Sequence, residues 1–350
     1  MDQRTILTLG LDIGDRHTHF CLLASSEEEV SEEGRVRTTP TAIEAFLRSR
    51  ERCRVVLEVG THSPWLSRLA ETAGHEVLVA NPRALRFIYG NTRKSDRRDA
   101  ELLARVGRMD PKLLSPIRHR REETQRALLV LRVRDTLVSS RTKMVTAARG
   151  MAKALGARIT KCSTPSFVKT ARKELPEDLR AALDPLLDSI EKLTLEIRES
   201  DKRVEQLGAE SYPETKLIRQ VHGVGPVTAL AFVLIIEDPA HFAKSRDVGP
   251  FLGMVPRRDQ SGNADPQLRI TKAGDSFLRR LLVQSAHYIL GPFGEDSDLR
   301  RRGLALVERG GKAAKKRAVI ATARKLAVML HALWKTGEVY DPLHNAKQAA

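Results

Sequence analysis

Apolar and polar positions along the first third of the chain fall into short runs that predict strands alternating with helices. Residues 5–14 make a buried apolar run that ends in a turn, with Asp12 near its close. Further strands are predicted near residues 19–24 and 35–39, then a short amphipathic helix over 41–50. Residues 54–59 are β-branched and apolar and stop at Gly60, which leaves Glu58 at the end of a fourth strand. A helix over 63–73, a strand over 76–80 and a helix opening at Asn81-Pro82 complete the series.

Three strands followed by alternating helices and strands imply a mixed α/β sheet of the ribonuclease H type. On such a sheet the first and fourth strands are neighbours, so Asp12 and Glu58 reach one sheet edge. Lys94-Ser95-Asp96-Arg97-Arg98-Asp99-Ala100 then opens a helical pattern in which Asp96 and Asp99 share a face with Leu103 and Val106. Inward-turned carboxylates require a cap, an ion pair or a metal ion. The plain explanation is Asp96 as N-cap and Asp99 beside the positive helix end. Four carboxylates with matching addresses favour instead Mg2+ or Mn2+, hard cations that prefer oxygen ligands. Gly10-Leu11-Asp12-Ile13-Gly14 also matches the first phosphate loop of actin-like kinases. The second Asp-x-Gly loop and Gly-rich adenosine site that such a fold needs are missing.

Pro111 and Ser115-Pro116 mark a break. Beyond it, residues 118–155 lack proline, and Leu137, Met144, Ala148, Met151 and Leu155 recur about every 3.5 residues. Leu183, Leu186, Ile190, Leu193, Ile197, Val204 and Leu207 keep a second such register, broken only at Ser200. Two long helices are predicted, folding back on each other or joining another subunit as a coiled coil. Arg118, Arg120, Arg121, Arg126, Arg132 and Arg134 on the first helix would track phosphates or form a solvated face.

In the last third, Gly223-Val224-Gly225 between apolar runs resembles a helix-hairpin-helix turn, where glycines bring N–H groups close to a phosphate. Ser261 stands beside Gly262 in a polar loop, with Arg257, Arg258, Arg269 and Lys272 nearby and Arg279 and Arg280 on the helix that follows. Cations around a serine hydroxyl can hold a phosphodiester against it. By itself, such a serine is more simply a turn residue or a phosphate contact. A basic tail helix carries Lys312, Lys315, Lys316, Arg317, Arg324 and Lys325, with Met329, Leu330, Leu333 and Trp334 as its apolar face.

Charge sharpens this picture. The 60 Lys and Arg outnumber the 44 Asp and Glu, for a net charge of +16 over 350 residues, which points to a polyanionic partner such as nucleic acid. Three cysteines without a C-x-x-C pair argue against a disulfide framework or zinc ribbon and suit a reducing cytoplasm. No signal peptide is read at the start, and the apolar run 227–236 is too short to span a bilayer. A soluble cytoplasmic protein with no membrane association is expected.

Together these pieces resemble the DEDD transposases of the insertion-sequence one-ten family, recombinases guided by a bridge RNA. The likeness rests on Gly10-Leu11-Asp12, Leu57-Glu58-Val59-Gly60-Thr61 and residues 94–100. Towards the other end it rests on Gly223-Val224-Gly225, Leu252-Gly253-Met254-Val255-Pro256-Arg257-Arg258, Ser261-Gly262, and Lys272-Ala273-Gly274 followed by Leu278-Arg279-Arg280. The resemblance implies an α/β plus α architecture in three parts. These are a RuvC-like (RNase H-like) metal-binding domain over 1–112, a helical coiled-coil connector over 113–210, and a mainly helical transposase domain over 211–350. It implies Asp12, Glu58, Asp96 and Asp99 as Mg2+ ligands and Ser261 as nucleophile. Arg257, Arg258, Arg269, Lys272, Arg279, Gly223 and Gly225 would contact nucleic acid. It also implies donor and target DNA and a non-coding bridge RNA as partners, a homotetramer built from dimers, and action at the bacterial nucleoid. The implied chemistry is strand exchange through a covalent 5′-phosphoserine link and a Holliday-junction intermediate. Acids and serine would form one composite site, with the serine supplied by the same subunit or by another. Ser95 stands where threonine is more usual, and Ser261 is single where many relatives have two serines. The alternatives are a metal-dependent junction nuclease that uses water, and a non-enzymatic nucleic-acid-binding protein.

Overall fold

The computed structural model describes residues 7–24, 29–83, 85, 95–262, 265–266, 268–311 and 313–345. The helix expected beyond Asn81-Pro82 falls largely outside that set, as do Lys94, Asn263, Lys312 and the first two positions of the opening strand. The chain divides into two compact units, Met1–Arg120 and Arg121–Ala350.

The first unit is built on a five-stranded mixed sheet. Its elements are β1 (Thr8–Ile13), β2 (His17–Leu23), β3 (Val30–Arg37), α1 (Pro40–Arg48), β4 (Arg54–Glu58), α2 (Ser63–Thr72), β5 (Glu76–Ala80) and α3 (Asp96–Met109). The strand order is β3-β2-β1-β4-β5. β2 runs antiparallel to both β1 and β3, whereas β4 is parallel to β1 and β5. The third strand begins at Val30, earlier than its sequence suggests. It is an edge strand exposed along most of its length, so no apolar alternation marks its start.

Side-chain alternation divides this sheet into two faces. Leu9, Leu11, Leu22, Val55 and Leu57 pack with Ile43, Leu47, Leu66 and Ala70 from α1 and α2. On the opposite face, Cys21 and Leu23 meet Ala100 and Ala104 of α3, and Val56 meets Leu103 and Val106. Thr39 caps α1 and Pro40 occupies its first turn, where a missing N–H costs nothing. All three cysteines are free.

The second unit is helical. It comprises α4 (Glu122–Ala154), α5 (Phe167–Glu174), α6 (Glu177–Ser211), α7 (Thr215–Ile218), α8 (Pro226–Ile236), α9 (Val248–Phe251), α10 (Ser276–Leu290), α11 (Asp298–Glu308) and α12 (Ala314–Thr336). α4 and α6 lie antiparallel, since Arg134 reaches Asp201 (2.6 Å) and the later Arg141 reaches the earlier Thr194 (3.2 Å). Within the chain, the register expected along α4 is buried only in part. Met151 and Leu155 are 56% and 70% exposed, and α4 buries residues only towards its ends, from Thr124 to Leu131 and at Ala148 and Ala152.

Two separate cores result. Ala148, Ala152, Phe167, Val168, Ala171, Leu183, Leu187 and Ile190 close one end of the pair. Leu128, Leu131 and Val204 join the main core, in which every residue of α8 from Thr228 to Ile236 is buried. The apolar run noted in the sequence is therefore a central helix surrounded by protein. Among the described residues no helix is long and apolar enough to cross a membrane.

Candidate metal centre and serine ribbon

Strand register brings the first two acids together. Leu57 pairs with Leu11 in the parallel β1–β4 ladder, so Glu58 comes level with Asp12. Two residues earlier, Val56 faces α3 and Gly10 lies against it, so alternation turns Glu58 and Asp12 towards the same helix. α3 starts there. Its N-cap is Ser95, whose Oγ accepts from the Arg98 N–H (3.4 Å), and not Asp96. Asp96 consequently keeps its carboxylate free of the capping role at the first helical position, 68% exposed. Asp99 turns inward beside Ala100 and is only 9% exposed.

A fifth group joins them that the sequence pattern does not single out. His19 stands directly opposite Asp12 in the β1–β2 ladder. Its Nδ1 lies 3.6 Å from Asp96 Oδ2. Donor atoms of Asp12, His19 and Asp96 all fall within 4.8 Å of one another. The signal available in the sequence was hairpin symmetry: Gly14-Asp15-Arg16 is a tight turn, which folds His19 back onto Asp12.

Electrostatics reports the crowding. Burial raises the Asp12 carboxyl most, then the charges of Asp96 and Asp99, with Glu58 adding and His19 opposing, and the pKa is pushed up to about 6. The charges of Glu58, Asp96 and Asp99 thus all reach Asp12, while the ligand atoms close enough to share one ion are those of Asp12, His19 and Asp96. Such a donor set fits a divalent cation, whose charge offsets the repulsion that holds Asp12 above the usual carboxylate range.

The turn after Glu58 is pinned. Ser63 Oγ accepts from the Gly60 N–H (3.0 Å) and donates to the Gly60 carbonyl (2.8 Å), and His119 Nε2 lies 2.9 Å from the same oxygen. Since the hydroxyl proton is committed to Gly60, His119 is the donor to Ser63. Burial holds His119 below the ordinary histidine pKa, with Arg68 and Arg120 pushing the same way.

Ser261 lies in the second unit, at the exposed end of a short ribbon. Pro256 bridges Ile270, Arg257 N–H donates to Arg269 O (2.9 Å), and Thr271 N–H donates to Val255 O (2.9 Å). Two glycines let the ribbon base close up. A Cβ on Gly253 or Gly274 would collide with the backbone of the opposing segment, Ala273 in the first case and Phe251 in the second. Arg257, Arg258, Arg269 and Lys272 are exposed around this ribbon. Arg279 donates through Nη1 to the carbonyls of Leu252 (3.0 Å) and Gly274 (3.1 Å), bracing the base.

Among the arginines of α4, Arg132 pairs with Asp275 (3.0 Å), the N-cap of α10, and Arg134 pairs with Asp201. Gly223 has a left-handed φ of +90° and packs close to Ile289 and Tyr288, so it serves the fold. Gly225 caps α8 with open space beside it.

Two family models match this chain. One, described as a transposase and of the DEDD type, covers residues 9–155; the other, the transposase IS116/IS110/IS902 family, covers residues 215–296. The chain belongs to the IS110 family of transposases. The matched segments of this transposase include Asp12, Glu58, Asp96 and Asp99 in the first and Ser261 in the second.

Curated relatives agree. The transposase is similar to that of insertion sequence element IS1111A from Coxiella burnetii, 29% identical over 72% of this chain and 70% of the relative. A probable family 20 transposase of Pseudomonas aeruginosa is 27% identical over 85% of this chain and 88% of its own. A pilin gene-inverting protein of Moraxella bovis is 24% identical over 82% and 81%. The IS110-family transposase is thus an enzyme of DNA recombination, and its DEDD type suggests the use of a divalent metal.

Proposed function

We propose that this transposase cuts and rejoins DNA strands through a metal-assisted covalent phosphoserine link. The first unit is read as RNase H-like, with a catalytic domain over residues 1–112, a connector over 113–210 and a transposase domain over 211–350. Asp12, Glu58, Asp96 and Asp99 hold Mg2+ or Mn2+. Bound there, the cation would supply Lewis-acid stabilisation of charge at the scissile phosphate. Ser261 Oγ gives up its proton and forms the bond to phosphorus as the bond to the 3′ oxygen breaks, and the departing 3′ oxygen takes up a proton in exchange. Arg257, Arg258, Arg269 and Lys272 neutralise the phosphate, and Arg279 holds the ribbon that presents the serine. The phosphoserine ester conserves the bond for rejoining. A bridge RNA, donor and target DNA, a tetramer and a cytoplasmic, nucleoid-associated site of action complete the proposal and rest on the resemblance to the family.

The observation that carries it is the convergence of Glu58 from β4 and of Asp96 and Asp99 from α3 on Asp12 of β1, whose pKa is pushed up to about 6. A complete acidic set inside one compact unit also favours a second reading, hydrolysis by water with Ser261 as a structural residue. The test is covalent trapping. Full-length protein, RNA from the flanking element and labelled donor DNA are incubated with Mg2+ and run on a denaturing gel. A protein-linked DNA band lost in both Ser261→Ala and Asp99→Ala is expected. Cleavage without that band, unchanged by Ser261→Ala, would install the hydrolytic reading instead.

A further inference from the structure

We infer that the metal centre is a mixed nitrogen–oxygen site in which His19 is a ligand beside Asp12 and Asp96, giving it a preference for Mn2+ over Mg2+. This rests on the proposed metal role of the acids and adds a ligand from β2 that the acidic set does not contain.

Placement comes first. Asp12 and His19 are directly paired across adjacent strands, and the same sheet face carries Cys21 and Leu23 under α3. His19 is therefore not a core residue, because it stands where that covered face gives way to the open cluster at the start of the helix. Its side chain is 27% exposed, enough to reach an ion and too little to be a freely solvated surface group.

Distance comes second. The 3.6 Å between His19 Nδ1 and Asp96 Oδ2 is longer than an ordinary charged hydrogen bond. Two donors at about 2.1 Å from one ion, about 90–110° apart, stand roughly 3.0–3.5 Å from each other. The observed gap is close to that of two ligands flanking a cation. The third donor, from Asp12, lies within 4.8 Å of both.

Chemistry decides the preference. Mg2+ demands oxygen and near-ideal octahedral geometry, whereas later divalent ions accept imidazole readily. A histidine inside the donor set should move the balance towards Mn2+. A histidine that merely hydrogen-bonds Asp96 would tune affinity without entering the coordination sphere.

The test is pulsed electron paramagnetic resonance of Mn2+ bound to full-length protein labelled with 15N-histidine, without DNA. A directly coordinated imidazole nitrogen gives a resolved coupling. The expected result is that coupling in the wild type, its loss in His19→Asn and His19→Asp with Mn2+ still bound, and a fall of about tenfold in the Mn2+/Mg2+ affinity ratio. The Asp variant restores an oxygen donor and separates ligand loss from a failure to fold. Mn2+ bound in an Asp12-dependent way but without nitrogen coupling would overturn the inference and leave the acidic centre standing. Coupling that persisted in the His19 variants would overturn it equally. Failure of the wild type to bind Mn2+ at millimolar concentration would remove the acidic centre and this inference together.

Discussion

Gly10 lies directly beneath the backbone of Ala100: a Cβ built on Gly10 would stand 2.0 Å from the Ala100 carbonyl oxygen and 2.7 Å from the Ala104 nitrogen. The absence of one methyl group thus sets how closely α3 rides on β1, and with it how near Asp96 and Asp99 come to Asp12. Gly10→Ala should push the helix outward at a cost of about 1–3 kcal/mol. It should weaken divalent binding more than tenfold, although no acid has been changed. Calorimetric titration with Mn2+ alongside thermal unfolding checks both effects, and unaltered metal affinity would refute the coupling.

Asp12 works against the fold when no metal is present. Its folded pKa is about 6 against an ordinary 3.8, so the charged form is disfavoured in the native state. The cost is fully present above pH 6 and disappears below pH 3.8. Asp12→Asn should therefore stabilise the metal-free first unit at pH 8 by roughly 1–2 kcal/mol after allowance for solvent screening, and by far less at pH 4. Mg2+ should stabilise the wild type and not the variant. Hydrogen exchange of β1 and α3 amides, followed against pH and Mg2+, reads this directly.

His331 ties the stability of the second unit to pH. It is fully buried, its Nε2 donates to the Pro239 carbonyl (3.0 Å), and its Nδ1 accepts from the Ser245 hydroxyl (2.9 Å). Burial lowers its pKa from 6.5, with Lys335 assisting and the Pro239 bond opposing. Below pH 6.5 the unfolded chain takes up a proton that the folded one resists. Stability is therefore whole above that value and falls as pH drops towards the lowered folded pKa. His331→Asn should lower stability at pH 7.5 and flatten the decline below pH 6.5. Urea unfolding at a series of pH values measures it.

The cations around Ser261 should separate by role. Arg257→Ala and Arg258→Ala should each reduce the salt dependence of DNA binding by about one unit of slope. Arg279→Ala should leave that slope unchanged. It strands the Leu252 and Gly274 carbonyls, costs about 1–3 kcal/mol and abolishes the protein–DNA link. Filter binding across salt concentrations, run beside the trapping gel, distinguishes the two classes.

How far the sequence could be read depended on what each position packs against. The strands β1, β4 and β5 were legible because their apolar runs are buried. β3 was legible only in its last part, because an exposed edge strand carries little pattern. Asp12 and Glu58 could be placed side by side from strand order alone. His19 could not, since a histidine in a strand has no distinguishing spacing until the register of the hairpin is known. The N-cap of α3 lies one residue before Asp96, the residue that the plain alternative would have made the cap. Ser95 and Asp96 are both good caps, and only the backbone separates them. Along α4, Met151 and Leu155 keep the expected spacing but are not packed within the chain.

The middle of the α4–α6 pair is thinly packed, with Ile197 the buried apolar side chain of α6 between Ile190 and Val204. No residue of α4 between Leu131 and Ala148 is buried, and the helices are joined there by Arg134–Asp201 and Arg141–Thr194. An apolar seam locks helices into one length and one phase, whereas a few long arginines do not. The cores at either end are thus packed separately along one shared pair of helices. Whole turns could be added or removed in this middle stretch to change the reach of the arm, and neither core would have to be rebuilt.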